Sequence, residues 1–412
     1  MKNTPDGSQL LNALFKSTAR KSSARKNSVL LNTVGRSSMV AVAATSAALL
    51  AQPVFAEAAP EKSTINFKTL TYRDYQPSDD RIDIDAESFL IQVPIAGQWS
   101  ITGTAVHDAI SGASPRYHSS SLAQIKDTRK AYTGAVTRYF QQGSVTVGTA
   151  YSKEKDYLSR NYSIQNSWST PSQNTTFIFG LGYTSDQIIP NSIFLTEKED
   201  KRVVDVALGV TQVLSQTDIA QVTYHHTRGR GYYSDQYKLY DARPDSRDSD
   251  SVLVRWNHHF VESANTLHSS YRYYTDSNDI DAHTLEFDYV FNLPNQWSIT
   301  PLLRYYSQSA ASFYYDPVAN DPWADADTFG APISVVYPLY AEGRFASMDQ
   351  RLSSFGAITY GAKLTKHFGE NWSADVKFEQ YEQKGSWALG NGSDGLKDFG
   401  ARSIQFGISH SF

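Results

Sequence analysis

Side chains able to do chemistry are gathered in a few places in this chain of 412 residues. His225-His226 and His258-His259 are adjacent pairs. On a strand, neighbouring side chains point to opposite faces, so neither pair can close on one metal ion. Asp316, Asp321, Asp325 and Asp327 flank Trp323 and offer the hard oxygens that calcium prefers. The spaced glycine and closing glutamate of a calcium loop are missing, so this stretch reads as a solvated acidic loop and no metal site is expected. Residues 228–240 are rich in Arg, Tyr and Gly. There Arg230, Tyr232, Tyr233 and Tyr237 suit stacking on a sugar or peptide, narrowing of a pore, or self-packing of a surface loop. Asp205, Asp375 and Glu379 stand among Arg255, Arg272, Arg304, Lys363 and Lys377, a mixture that forms an ion-pair lattice more readily than an acid–base couple. Gly-x-Ser-x-Gly, His-Glu-x-x-His and phosphate-loop patterns are all missing, so no catalytic residue is expected. With no cysteine, thiolate catalysis, disulfides, thiolate metal sites and covalently held c-type haem are excluded.

The elements that must position these groups read as strands. Phe177, Phe179, Leu181 and Tyr183 alternate with Ile178, Gly180 and Gly182. Val204, Val206, Leu208 and Val210 alternate with Asp205, Ala207, Gly209 and Thr211, and Val252 to His258 and Ile358 to Leu364 repeat the pattern. One face is apolar or aromatic, and the other is mostly small, polar or charged, which suits a crowded polar lumen. The strands are long enough for a tilted membrane crossing, which takes about 9–11 residues. Short turns at Ala96-Gly97-Gln98, Gln141-Gln142-Gly143, 171–174, 215–218, 261–264, 294–296 and 369–371 alternate with longer connections at 111–125, 185–199, 228–248, 309–349 and 385–397. Three further connections near 76–81, 153–156 and 276–281 are short. The count predicts an all-β, transmembrane, antiparallel up-and-down β-barrel of about 16 strands, within a range of 14–18.

The first 56 residues carry a different signature. Basic residues from Lys16 to Arg36 precede an apolar run from Met39 to Leu50, and Val54-Phe55-Ala56 follows. The run is shorter than the roughly 20 residues of a membrane helix. It reads as a signal peptide cleaved after Ala56, leaving residues 57–412 as the barrel. Without residues 1–56, the chain holds 31 Lys and Arg against 41 Asp and Glu. That acidic balance gives no electrostatic basis for binding nucleic acid.

Two small repeats place the membrane boundary. Gln98-Trp99-Ser100, Gln296-Trp297-Ser298 and Asn371-Trp372-Ser373 each follow a short turn, which puts Trp99, Trp297 and Trp372 in an interfacial girdle. Arg138-Tyr139-Phe140, Arg272-Tyr273-Tyr274 and Arg304-Tyr305-Tyr306 form the second repeat. In the later two copies Arg272 and Arg304 should face the lumen and the middle Tyr should face lipid. The first copy extends the girdle at the short-turn end.

The closing strand Ile404-Gln405-Phe406-Gly407-Ile408-Ser409-His410-Ser411-Phe412 resembles the C-terminal signal of bacterial outer-membrane barrels, with Phe412 as the assembly residue. Asp108 to Ser119, Gly229-Arg230-Gly231-Tyr232-Tyr233-Ser234-Asp235, Arg255-Trp256-Asn257-His258-His259-Phe260 and Arg272-Tyr273-Tyr274 resemble a family of proteobacterial outer-membrane barrels of unknown function. The likeness runs from Thr64 to Phe412. It implies residence in the outer membrane, contact with outer-membrane lipid, delivery by the barrel-assembly machinery, and a channel or scaffold role. A surface receptor or adhesin acting through the long loops is the alternative.

Asp108-Ala109-Ile110-Ser111-Gly112-Ala113-Ser114 also resembles the acceptor motif of proteins that receive covalent FMN from a periplasmic flavin transferase. That resemblance implies FMN on the Ser114 hydroxyl, close approach of the transferase over Gly112 and Ala113, recognition through Asp108, and a redox role. The plain alternative is a turn-forming loop that begins at Ser111 after a strand ending at Asp108.

Overall fold

The computed structural model describes residues 58–77, 79–115, 122–191, 195–238, 241–316 and 341–412. The expected signal peptide and Asp321, Trp323, Asp325 and Asp327 lie outside them. The chain forms β1 (Thr64–Gln76), β2 (Asp79–Ile95), β3 (Trp99–Pro115), β4 (Leu122–Phe140), β5 (Gly143–Lys153), β6 (Tyr157–Ser169), β7 (Thr175–Ile188) and β8 (Glu199–Val213). It continues through β9 (Asp218–Gly231), β10 (Ser246–Phe260), β11 (Asn265–Asp276), β12 (Asp281–Leu293), β13 (Trp297–Gln308), β14 (Phe355–Phe368), β15 (Trp372–Lys384) and β16 (Phe399–Ser411). Each strand pairs antiparallel with its chain neighbours, and β16 returns to β1, so 16 strands close a barrel with no free edge.

Register decides which face of each strand is wet. Along β7, Phe177, Phe179 and Leu181 are 44, 47 and 42% exposed, while Ile178 and Gly180 between them are buried. The same two-residue period runs around the ring. Val204, Leu208, Val254, Trp256, Phe287, Leu303, Phe378 and Phe406 stand outward, and Asp205, Arg255, Glu286, Arg304, Lys377 and Gln405 are buried inward. A one-residue slip would exchange the two sets, so burial on one side fixes the register.

The ends differ in construction. Seven turns at one end span only residues 96–98, 141–142, 170–174, 214–217, 261–264, 294–296 and 369–371. Left-handed backbone at Ala96 and Gly97, with φ of 51° and 66°, and at Asn295 and Gln296, with 58° and 62°, twists two of them to match their strands. Ser63 and Phe412 exchange backbone hydrogen bonds of 2.9 Å at this end and seal the seam. The other end carries every long connection.

One expected boundary is corrected. β3 does not end at Asp108 but runs to Pro115, paired with β4 from Leu122 onward. Ser111 to Ser114 are therefore ladder residues and not a loop. Alternating small residues with hydroxyls gives a weak strand signal, and the ladder on both sides supplies what local propensity lacks.

Candidate functional site

The inner wall is built from ion pairs set directly across neighbouring strands. Arg129 on β4 faces Asp108 on β3 and holds both carboxylate oxygens, at 3.1 and 2.9 Å from Nε. Lys201 on β8 faces Asp186 on β7 at 3.0 Å and also reaches the Tyr157 hydroxyl at 3.2 Å. Arg304 on β13 faces Glu286 on β12 at 3.0 Å. In each case both partners are nearly fully buried, so each charge meets its counter-ion instead of bulk water. Between them, Arg255 donates to Gln221 Oε1 at 2.8 Å, Thr227 donates to Asp205 at 2.8 Å, and Lys377 pairs with Glu379 at 2.7 Å. Of the charged residues grouped from sequence, Lys377 and Glu379 pair with each other, while Arg304 is held by Glu286 and Asp205 accepts from Thr227.

Over the long-loop end, connections from different parts of the chain interlock. Tyr237 donates to Asp156 at 2.7 Å, and Gln236 caps Asn191 N and Ile189 O at 2.8 and 3.2 Å. That ties the β9–β10 loop to the β5–β6 and β7–β8 connections. Tyr232 and Tyr237 pack against a buried cluster of Tyr157, Ile188 and Leu195. Asp241 and Asp349 both accept from Arg243, at 2.8 and 2.6 Å, and Arg351 reaches Asp235 at 2.6 Å and also Asp349. Through this cluster the β9–β10 loop is bound to the end of the β13–β14 loop. Ser354 N donates to Ser393 Oγ and Gly395 N to Asp316, drawing in the β15–β16 loop. Beneath, Ile280, Ala311 and Leu352 form a small apolar core.

Electrostatics within this cap follow from burial. Burial alone would raise the Asp349 carboxyl, but Arg351, Lys238 and Arg243 together hold it well below the usual carboxylate range. Burial raises Asp241 against the pull of Arg243, with Asp349 and Asp235 adding to the rise. Burial likewise pushes the Tyr233 hydroxyl up to about 12. That hydroxyl lies where a Cβ on Gly229 would stand, so any larger residue there would have to displace the ring.

The residues singled out from sequence fall in different places. Arg272 and Arg304 are buried in the lumen, and Tyr273 between the strand faces is exposed. Arg230 does not narrow the pore. It lies on the outer face of β9, half exposed, and holds Asp248 at 2.7 Å. His226 and His258 bond Asp250 and Asp218 at 2.9 and 2.8 Å and are not brought together. Trp99, Trp297 and Trp372 each begin a strand at the short-turn end. Arg138 sits 5.0 Å over the Trp99 ring, Lys366 5.1 Å over Trp297, and His410 stacks on Trp372 at 4.1 Å. Asp108 is engaged by Arg129, and the backbone of Ser114 pairs with Ala123 inside the β3–β4 ladder.

Sequence reading missed one convergence. Asp127, Glu154 and Asp156 bring ligand oxygens within 4.8 Å of one another at the rim of the cap, an arrangement of hard oxygens that fits a divalent cation. Asp127 lies within β4 and the other two in the β5–β6 connection, so spacing gave no hint of it.

The chain belongs to the family described as "Protein of unknown function (DUF3570)", whose model matches residues 119–195 and 191–402. No curated protein matches it in sequence. Among solved structures it is similar to a bacterial polysaccharide outer membrane secretin, with 8% identity and a TM-score of 0.47 over 85% of this chain and 98% of that one. CdiB from Acinetobacter baumannii gives 9% and 0.48 over 84% and 60%. OccK2 from Pseudomonas aeruginosa in complex with glucuronate gives 10% and 0.43 over 85% and 98%.

Proposed function

We propose that this chain is an integral outer-membrane barrel that acts as a channel, with its short turns in the periplasm and its interlocked loops facing outward. The observation that carries this reading is the separation of the two wall faces. Exposed aliphatic and aromatic side chains cover the outside, and buried ion pairs and amides line the inside. Only hydrocarbon makes the first arrangement favourable, and only a polar interior suits the second. Trp girdle residues at the turn end and Phe412 as the residue read by the assembly machinery agree with the same orientation. The cap then stands at the outer mouth, where it selects what enters or holds the mouth shut.

Refolded protein in planar bilayers tests this. Discrete conductance steps that grow when the 232–245 loop is shortened are expected. An inserted, folded barrel that stays silent with and without that loop would exclude the channel and leave a scaffold.

A further inference from the structure

Around the loop end, the outward-facing charges are sorted by sign. On β4 to β9 the exterior positions hold Lys130, Lys153, Arg160, Arg202, Arg228 and Arg230, all exposed. Lys130 lies directly across from Lys153, and Arg202 directly across from Arg230. Arg160 lies across from Tyr151, diagonal to Lys153, and shares Ser185 on β7 as a partner with Arg202, so it bridges the two like-charged pairs into one belt. Acids on this arc are few. Asp200 is exposed beside its end, and Asp248 on β10 is shared by Arg228 and Arg230, at 3.4 and 2.7 Å. Among the described residues, Lys130, Lys153, Arg160 and Arg202 have no carboxylate within ion-pair distance.

Like charges facing each other across a ladder are destabilising unless an anion lies between them. What lies next to this belt identifies the anion. One exterior step toward the middle of the barrel from Lys130, Lys153 and Arg160 stand Tyr132, Tyr151 and Tyr162, 51, 37 and 55% exposed. Tyr183 takes the same position on β7, at 41%. Exposed tyrosines above an aliphatic band mark headgroup depth. Cations one step farther out sit at the level of lipid phosphates. The remaining arc leans to the opposite sign: Asp83, Asp85 and Glu87 on β2, Asp250 on β10, Asp281 on β12 and Glu382 on β15 face outward, and among the described residues the cations beside them are Arg73, Arg402 and Lys384, the last paired with Asp398 at 3.1 Å.

We infer that the β4–β9 arc is a binding surface for phosphate-bearing lipid of the outer leaflet, seating acyl chains against the aliphatic band and phosphates between the paired cations. This rests on the membrane reading above. It assigns the lipid to one side of the barrel, a property that reading does not require.

The test compares wild type with a variant in which Lys130, Lys153, Arg160 and Arg202 are all changed to Gln. Both are reconstituted into phosphatidylcholine vesicles with and without lipid A, and lipid retained on extraction is read by native mass spectrometry. Wild type should retain lipid A over phosphatidylcholine, and each cation removed should weaken retention roughly fivefold. High salt should weaken it too, because exposed charges are screened. Arg73→Gln with Arg402→Gln should leave it unchanged. Circular dichroism and heat-modifiable gel mobility confirm that each variant is folded. Failure of any form to insert would defeat the membrane reading itself. Insertion without lipid A preference, preference that survives in the four-site variant, or equal competition by inorganic phosphate would overturn the lipid surface alone.

Discussion

The barrel's two ends solve one problem, ending 16 strands, by opposite means. At the turn end, connections of a few residues leave little to fold, and stability comes from ring contacts on the outside such as Trp372 on His410. At the loop end, segments distant in sequence are bound by buried charge, as Arg351 is to Asp235 across 116 positions. Rings at the turn end are replaceable one at a time, because each touches only its own neighbour. A buried ion cluster is not, because removing one member strands the others. Damage at the loop end should therefore be large and cooperative, and damage at the turn end small and additive.

The largest expected effect tests that directly. Arg351→Met leaves Asp235 and Asp349 without their shared cation and should cost about 3–5 kcal/mol of cap stability. Hydrogen exchange should show lost protection in both 232–238 and 341–354 while the strands stay protected. Protection lost in only one segment would show that the cluster does not join them.

Acid gives the same cap a two-part profile. Asp241, raised by burial, favours the folded loops when protonated, so mild acid should tighten them slightly. Asp349 is lowered, so its contribution is complete above the ordinary carboxylate value of 3.8 and is lost only as the pH falls toward its own lower value. Loop protection measured against pH should rise modestly as the pH falls through the raised Asp241 value and collapse only well below the ordinary carboxylate range. A monotonic loss from neutrality downward would contradict the assignment.

Within the lumen, Glu286→Gln should cost about 1–3 kcal/mol by leaving the Arg304 charge uncompensated. Pairing it with Arg304→Met should recover part of that loss, because the two face each other across one ladder position. Additive losses in thermal unfolding would show that the pair does not couple.

The smallest effect belongs to the girdle. Trp297→Ala removes a ring under Lys366 and should lower stability by about 0.5–1 kcal/mol. A loss as large as that of Arg351→Met would erase the contrast between the ends.

Most of the barrel was legible because a period of two is a local signal. Phe177 to Tyr183 announces its outward apolar face in seven residues, and Ala96-Gly97 announces a turn in two. Six of the seven short turns hold or adjoin a Gly, Pro or Asn, whereas 214–217 was marked only by a break in the alternation. Ser111 to Ser114 was misread because its small residues signal a loop as strongly as a strand, and the ladder with β4 is not visible locally. For Arg230 the sequence left a pore constriction, stacking on a ligand and a self-packed surface loop all open. Its outward position follows from where β9 ends, a matter of one residue's parity. The cap was not legible at all. Arg243 and Asp349 are 106 positions apart, and no pattern within either loop names the other. The cations of the β4–β9 arc were likewise invisible singly, since each looks like an ordinary surface residue until register lines them up.

The hydrogen bonds that join Ser63 to Phe412 carry a kinetic consequence. Fifteen of the barrel's interstrand pairings form between consecutive strands and can zip progressively as hairpins. The sixteenth, β1 with β16, joins residues such as Thr64 and Ser411 that are 347 positions apart. Until that pairing forms, two ladder edges stay exposed, each able to recruit a strand from another molecule. The seam is thus the slow step of assembly and the place where misassembly begins.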